Sequence, residues 1–260
     1  MTEQAAVDAA IAALPSVQLS RLQSDAALLS RRERKYIVPL NVAASLVAAI
    51  SGDARALQIN GERSFRYESV YFDTPTGQSY LASARRRRHA FKVRTRTYVN
   101  SGDCMLEVKL RGSRGRTTKS RLEYPADSSG QLNDSALEFI AEVLGAGRES
   151  VLAPTLTTIY QRSTLLLPGD SRLTIDTDFS ATTPAGEQVS LNEFAIIESK
   201  SRLAPTVADR ALWRIGFRPI KLSKFGTSLA AIDPTLPSNR WTRALKSPWI
   251  DRVARTATSA

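Results

Sequence analysis

The chain has 260 residues, 42% hydrophobic and 23% charged, a balance that predicts one large or two small folded domains and excludes wholesale disorder. Lysine and arginine number 36 against 25 acidic residues, and the net charge of +11 predicts a polyanionic partner: nucleic acid, nucleotide, polyphosphate or an anionic membrane. Cys104 is the single cysteine, which excludes an internal disulfide framework and a multi-cysteine zinc site and favours a reducing, cytoplasmic location.

The chain begins with a helical pattern and continues as short alternating segments, which predicts a β-rich domain decorated by helices. The first helix ends at Pro15, and its acidic start differs from that of a secretory signal. No run approaches the roughly 20 apolar residues of a membrane-spanning helix. Three internal helices are expected: residues 42–50 capped by Asn41, one opened by residues 133–135 and closed by Gly145, and one from Pro205 to near Gly216.

Six predicted strands carry charged or polar residues at alternate positions, which places these residues on one face of each strand. Between the strands, the basic run at 85–88 and the polar stretch at 113–118 are expected to form loops or strand edges. In chain order, the alternating positions are Arg31, Glu33 and Lys35; Lys92, Arg94 and Arg96; Glu107, Lys109 and Arg111; Lys119, Arg121 and Glu123; Arg172, Thr174 and Asp176; and Glu198 and Lys200.

This charged face has two interpretations. It can be the wet side of an antiparallel sheet, where charged residues need no function. Alternatively it binds a polyanion, because like charges opposite one another across strands repel and a bound anion would offset that repulsion. If the sheet closes, these side chains line a basic tunnel and the apolar face packs outside it. The expected fold class is therefore α+β, a closed antiparallel β-barrel with peripheral helices.

Several common site types lack their residues. His89 is the single histidine, so histidine metal clusters and a Ser-His-Asp triad have no support. The stretch GSRGRTTKS fails the phosphate-loop spacing at Thr118, and no dinucleotide-binding glycine pattern follows a strand. The aromatic residues form no base-stacking array, which argues against a specific nucleic-acid partner. Lysines and arginines with the isolated carboxylates Glu33, Glu107 and Glu198 instead match metal-assisted phosphoryl transfer.

Eight short words occur in order along the chain: ERKYIV, SVYFDTP, VRTRTY, LEVK, TKSR, YQR, IES and KLSKF. Together they resemble the polyphosphate-polymerase domain of the vacuolar transporter chaperone (VTC) family over residues 30–232. Residues 1–29 would then be an N-terminal helical segment and 233–260 a partly helical tail. The resemblance implies the closed, charged barrel of the triphosphate tunnel metalloenzymes. It also implies transfer of the ATP γ-phosphate to a growing polyphosphate chain with Mn²⁺ or Mg²⁺.

The resemblance assigns site residues by motif position. Glu198 would be the metal-binding carboxylate, although it could instead pair with a neighbouring lysine. Tyr160 has the alternative of a core aromatic residue, and Asp73 and Asp176 are expected to be turn or ion-pair residues. The residues expected to act on the triphosphate or the growing chain are Lys35, Arg94, Arg96, Lys109, Arg162 and Lys224, with Lys119, Tyr160, Lys221 and Ser223 binding substrate.

One position departs from the wider superfamily. Its hydrolases open with an E-x-E-x-K strand, and Arg31 replaces the first glutamate here, which weakens a second metal site and disfavours a triphosphatase. Two alternatives stay open: a hydrolase of triphosphate or short polyphosphate on the same fold, and a non-catalytic polyphosphate or nucleotide sensor. The family also implies a membrane-protein partner for polymer export, and the basic run at 85–88 would suit docking on anionic lipid.

Overall fold

The computed structural model describes residues 2–24, 32–112, 117–145, 147, 152–202 and 204–246. The fold is α+β, with a large, mainly antiparallel sheet and several helices. The chain divides into two compact units. The first comprises Met1–Phe65, Tyr160–Phe179 and Leu191–Leu222, and the second comprises Arg66–Ile159, Ser180–Ser190 and Ser223–Ala260.

The strands are β1 (Ser16–Val17), β2 (Arg32–Pro39), β3 (Arg55–Leu57), β4 (Phe65–Asp73), β5 (Phe91–Tyr98), β6 (Asp103–Arg111), β7 (Thr117–Glu123), β8 (Ala153–Leu167), β9 (Ser171–Thr182), β10 (Gln188–Leu191) and β11 (Phe194–Ser201). Hydrogen bonds give the order β2-β11-β9-β8-β4-β5-β6-β7, while β10 pairs with β9 and β1 pairs in parallel with β3. Within the described residues no backbone pairing joins the end strands β2 and β7. The expected closed barrel is therefore not shown, because hydrogen bonds between the described strands do not close the sheet.

The helices are α1 (Glu3–Ala12), α2 (Leu19–Ser24), α3 (Leu40–Ala49), α4 (Gln78–Ala84), α5 (Asp134–Leu144), α6 (Val207–Arg214), α7 (Lys224–Ile232) and α8 (Thr242–Leu245), with 3-10 turns at Ala126–Ser128 and Asn239–Trp241. Both predicted ends of α5 are confirmed. The Asn133 side chain accepts from the Ala136 N–H, and Gly145 follows the helix with φ +87°, a conformation that favours glycine.

Two predicted helix starts are wrong by two residues. Pro39 holds the N-cap position of α3, so Asn41 lies in the first turn and accepts from the Val42 N–H at 2.7 Å. The helix begins early because the Leu40 N–H already donates to the Glu193 carbonyl at 3.0 Å. Helix α6 begins after Thr206 instead of at Pro205, because Thr206 and Asp209 form a capping box.

Each unit has its own apolar core on one face of its strands. In the first unit, α1 and α3 pack against residues such as Val38, Ile175 and Ile197. In the second unit, α5 packs against Val93 and Leu106. The neighbouring residues of these strands point the opposite way, so the predicted separation of apolar and charged faces is confirmed within each unit.

Some expectations concern loops and residues that the structure does not describe. Residues 85–88 lie between α4 and β5 outside any helix or strand, as predicted. Arg31 and residues 113–116 lie outside the described residues, whereas Thr117 and Thr118 begin β7. No helix in the described part of the chain is both long and apolar enough to span a bilayer.

Candidate functional site

The second unit places cationic residues directly opposite one another on three neighbouring strands. Lys92 on β5 lies opposite Lys109 on β6, which in turn lies opposite Lys119 on β7. We call these three residues the lysine row. Like charges in opposite positions destabilise a sheet, so the row is unfavourable for the fold by itself.

Two residues further along the same strands, a carboxylate lies between two arginines. Arg94 on β5 lies opposite Glu107 on β6, and Glu107 lies opposite Arg121 on β7. Glu107 is fully buried. Its carboxylate accepts hydrogen bonds from Arg94 Nε at 2.8 Å and Arg121 Nε at 3.1 Å, and it pairs with Lys119 Nζ at 2.5 Å. Burial opposes its charge, but Arg94, Arg96 and Lys119 outweigh burial and hold the pKa of Glu107 well below its usual range. Glu107 is therefore ionised.

Burial decides between the two interpretations of the charged face on β5. Arg94 and Arg96 are only 8% and 7% exposed, while Val93 and Thr95 on the opposite face are also buried. Buried arginines are rare unless they are paired or bind a charged group. The wet-sheet interpretation is therefore wrong for β5.

Two members of the lysine row bind their protons less tightly than ordinary lysines do. The field of Arg94 together with burial lowers the pKa of Lys109 well below that of an ordinary lysine. Burial is the main cause that lowers the pKa of Lys119 to about 8, although Glu107 opposes it. Among the ion pairs of the described residues, none joins Lys109 to a carboxylate. A bound anion would stabilise the charge of these lysines, so their positions are suited to binding an anion.

Strand β4 fixes the two arginines in position. Arg94 Nη1 donates to the Tyr71 hydroxyl at 2.9 Å, and its guanidinium lies 5.6 Å from the Tyr71 ring centroid. Arg96 Nε donates to Ser69 Oγ at 3.2 Å, and its guanidinium lies 5.4 Å from the Tyr67 ring. None of these supporting residues was assigned a role from the sequence. Tyr67, Ser69 and Tyr71 alternate along β4, opposite the motif VRTRTY, and this alternation is the signal that points to them.

Helix α7 brings one predicted substrate residue to the lysine row. Lys92 Nζ donates to Ser223 Oγ at 2.8 Å, and Ser223 caps α7 by accepting from the Gly226 N–H at 3.1 Å. The Trp241 indole packs on Gly226 where a Cβ atom would stand, so only glycine allows this approach. Lys224 is the first residue of α7.

The first unit contains a separate, charge-balanced cluster. Glu198 on β11 lies opposite Lys35 on β2 and pairs with Lys35 at 3.3 Å and with Lys200; Lys35 also contacts Glu33 at 2.6 Å. Burial opposes ionisation, but Lys35 and Lys200 lower the pKa of Glu198. Despite the same desolvation, the Glu198 and Glu33 carboxylates raise the pKa of Lys35. The alternative that Glu198 pairs with a lysine is thus observed.

Arg162 and Tyr160 lie on β8 in the same unit. Arg162 binds Asp176 in bidentate fashion at 2.6 and 2.7 Å, which confirms Asp176 as an ion-pair residue. Tyr160 is fully buried, 6.4 Å from the Phe179 ring, and its own ring lies 5.1 Å from the Arg162 guanidinium. Tyr160 therefore supports Arg162 from the core. Lys221 is exposed between α6 and α7.

Asp73 also behaves as expected for a turn residue. Its carboxylate is buried and accepts from the backbone N–H groups of Thr74 at 2.8 Å, Ser79 at 2.7 Å and Tyr80 at 2.8 Å. These bonds hold the start of α4 against the end of β4. Asp73 is therefore a turn residue that stabilises the β4–α4 connection.

The donors around Glu198 fit a hydrated divalent cation better than an all-protein metal cage. No group of three or more His, Cys, Asp or Glu side chains that could hold a metal occurs in the described ranges. Thr174 lies opposite Glu198 in register, and its buried Oγ1 has no hydrogen-bond partner. One carboxylate, a hydroxyl oxygen, water and phosphate oxygens together suit Mg²⁺, which usually retains water and binds through one or two carboxylates.

A family model described as the VTC domain matches residues 30–232. No curated protein matches the chain. Among solved structures, an adenylyl cyclase-like protein from Hippeastrum, described as having a dominant triphosphatase activity, is 16% identical with a TM-score of 0.48, covering 81% of this chain and 100% of that one. A protein from Vibrio parahaemolyticus, described as adenylate cyclase-like, is 16% identical with a TM-score of 0.39, covering 72% and 82%.

The inorganic triphosphatase NE1496 is likewise 16% identical, with a TM-score of 0.27, and the match covers 66% of this chain and 75% of that one. These identities and TM-scores are too low for the similar structures to support a function. The family match covers most of the chain, and it is therefore the comparison on which a function can be based.

Proposed function

The chain belongs to the VTC domain family, and on that premise we propose that it is a metal-dependent polyphosphate polymerase that transfers the γ-phosphate of ATP to the end of a polyphosphate chain. The proposal includes closure of the sheet into a barrel whose lumen holds the substrate. Residues 30–232 would form the catalytic domain, with 1–29 and 233–260 as flanking segments. A cytoplasmic location at the membrane periphery stays a prediction.

The observation that carries the proposal is the group of buried arginines and opposed lysines in the second unit. Arg94 and Arg96 are buried, and Lys109 lies between two other lysines in the lysine row. Glu107 pairs with Arg94, Lys119 and Arg121, and no ion pair of the described residues joins Lys109 to a carboxylate. A triphosphate or polyphosphate carries several negative charges in a line, so it matches a linear array of cations across three strands.

The same residues can contribute to phosphoryl transfer without a histidine base. The acceptor is a terminal phosphate whose oxygen is largely anionic near neutral pH, because the second phosphate pKa is about 6. Catalysis then requires positioning and neutralisation of charge. Arg94 and Arg96, held by Tyr71 and Ser69, would orient the phosphates, and Lys109 would stabilise the charge that develops on the transferred group.

In the first unit, Glu198 with Thr174 would hold the Mn²⁺ or Mg²⁺ that the family implies. When bound, such an ion neutralises phosphate charge and orients the transferring group. Lys35 would bind phosphate from its position beside Glu198, and the bidentate Arg162–Asp176 pair keeps the Arg162 guanidinium in a fixed orientation.

Incubation of the purified chain with ATP and Mn²⁺ tests the proposal. Polymer that grows on a gel together with release of ADP is the expected result. Release of orthophosphate without polymer would assign the chain as a hydrolase, and tight, salt-sensitive polyphosphate binding without ADP release would assign it as a sensor. The Lys109→Met variant removes one cation of the proposed site and should form less polymer. The Arg66→Met variant is its control, because Arg66 is exposed on the face of β4 opposite to Ser69 and Tyr71, and it should leave polymer formation unchanged.

A further inference from the structure

A second group of guanidinium side chains lies in the second unit, at the end of β6. Arg111 is the last residue of β6, and its Nη1 donates to the Arg86 carbonyl at 3.4 Å. Arg240 Nη1 donates to the Ser83 carbonyl at 2.6 Å. Partial burial and the charges of Arg86 and Arg111 lower the pKa of Arg240, so the three charges lie within electrostatic reach. We call Arg86, Arg111 and Arg240 the arginine corner.

Among the described residues, the arginine corner lacks an acidic partner. Across the described ranges, no ion pair joins any of its members to an aspartate or glutamate. Arg86 also adopts φ +54°, a left-handed conformation that is unfavourable for a residue with a Cβ atom. Like-charge repulsion and an unfavourable backbone conformation therefore occur at the same point, as they do at many ligand-binding positions.

The arginine corner lies next to the lysine row, on the same face of β6 and toward the end of that strand. Arg111 follows Lys109 by two residues on β6, so the two side chains share a face and are about 7 Å apart along the strand. On the neighbouring strand, the Ala90 carbonyl accepts from the Arg111 N–H at 2.9 Å, which places the start of β5 beside the corner. An anion that reaches the lysine row could therefore extend to Arg111 without leaving the basic face.

We propose that the arginine corner binds the part of a polyphosphate chain that extends beyond the phosphates held at the lysine row. This assignment rests on the proposed function, since it takes linked phosphates as the ligand. Guanidinium groups suit the purpose because each offers several N–H donors in a plane and binds phosphate oxygens in bidentate fashion. The corner would thus make affinity depend on chain length.

The observations favour a phosphate chain over an anionic membrane as the occupant. Arg111 and Arg240 are half-buried and are held by backbone carbonyls, whereas a membrane surface is best met by fully exposed side chains. Residues 85–89 carry four arginines and His89 and no apolar side chain that could insert into lipid. The continuity with the lysine row has no use in membrane docking.

Calorimetry with the full chain tests the assignment by comparing tripolyphosphate with a long-chain polyphosphate. The variant is Arg86→Gln/Arg111→Gln, and the matched control is Arg66→Gln/Arg214→Gln, which removes two exposed charges elsewhere. We expect the ratio of long-chain to tripolyphosphate affinity to fall by about 10- to 100-fold in the variant and to stay unchanged in the control. Arg111→Gln alone provides the same comparison if the double variant does not fold.

An unchanged ratio in a folded variant would overturn the assignment while leaving the proposed function in place. If the variant kept the ratio but lost binding to phosphatidylserine vesicles, the corner would be a membrane surface and the assignment would be wrong. If neither phosphate ligand bound to the unaltered chain, the proposed function itself would fail, and this assignment with it.

Discussion

The Lys109→Met variant tests two effects of the lysine row: it lowers the stability of the free protein, and it contributes to the affinity for phosphates. Lys109 has a lysine directly opposite on each side, and its pKa lies well below that of an ordinary lysine because of Arg94 and burial. The folded state holds this proton less tightly than the unfolded chain does, so the charge destabilises the fold at neutral pH. Methionine keeps the length of the side chain and removes the charge.

Each like-charge pair across strands costs about 0.2–1 kcal/mol, so the substitution should raise the free energy of unfolding by about 0.5–2 kcal/mol. The melting temperature should rise by roughly 1–6 °C for a chain of this size. A charge-assisted hydrogen bond contributes about 1.5–3 kcal/mol, so affinity for tripolyphosphate should fall roughly 10- to 100-fold.

Thermal melts without ligand and calorimetry with tripolyphosphate measure the two effects on the same sample. Lys246→Met is the matched control, because it removes the same charge from an exposed position, and it should change neither quantity appreciably. A lower melting temperature combined with unchanged affinity would show that Lys109 stabilises the fold and does not bind the phosphates.

Three further predictions concern single groups. Glu198→Gln should abolish metal-stimulated turnover with the circular dichroism spectrum unchanged, because the shape is kept and only the charge is lost; an unaltered metal titration would exclude the carboxylate as a ligand. Since the pKa of Lys119 is about 8, tripolyphosphate affinity should fall as the pH rises through that value and the free site loses a proton; Lys119→Arg should remove the decline, and a decline that persists would assign it to another group. Asp209→Ala should lower the free energy of unfolding by about 3–5 kcal/mol in denaturant titrations, because its buried carboxylate accepts from Tyr36 Oη at 2.6 Å and the Thr206 N–H at 2.8 Å; a loss below about 1 kcal/mol would contradict that role.

Local patterns predicted those features of the fold that depend on a few consecutive residues. Alternation on β5 and β6 separated Val93 and Leu106 from Arg94 and Glu107, and the structure buries the first pair in the core of the second unit. Asn133 and Gly145 marked the ends of α5 because capping involves neighbours within one turn. The start of α3 was wrong because it depends on Glu193, which is distant in sequence.

The arrangement of the site depends on strand register, which alternation alone does not determine. Each charged residue was placed on a face, but its neighbours across the sheet were not identified. Register is what sets Lys109 between two lysines and surrounds Glu107 with three cations. The support that Tyr71 gives to Arg94 and the packing of Trp241 on Gly226 are likewise long-range contacts.

The most direct test of the account is a crystal structure of the chain with tripolyphosphate and Mn²⁺. We expect phosphate oxygens within hydrogen-bond distance of Arg94, Arg96 and the lysine row. Phosphates bound elsewhere, with these side chains still in their present contacts with Glu107, Tyr71, Ser69 and Ser223, would overturn the proposed binding site.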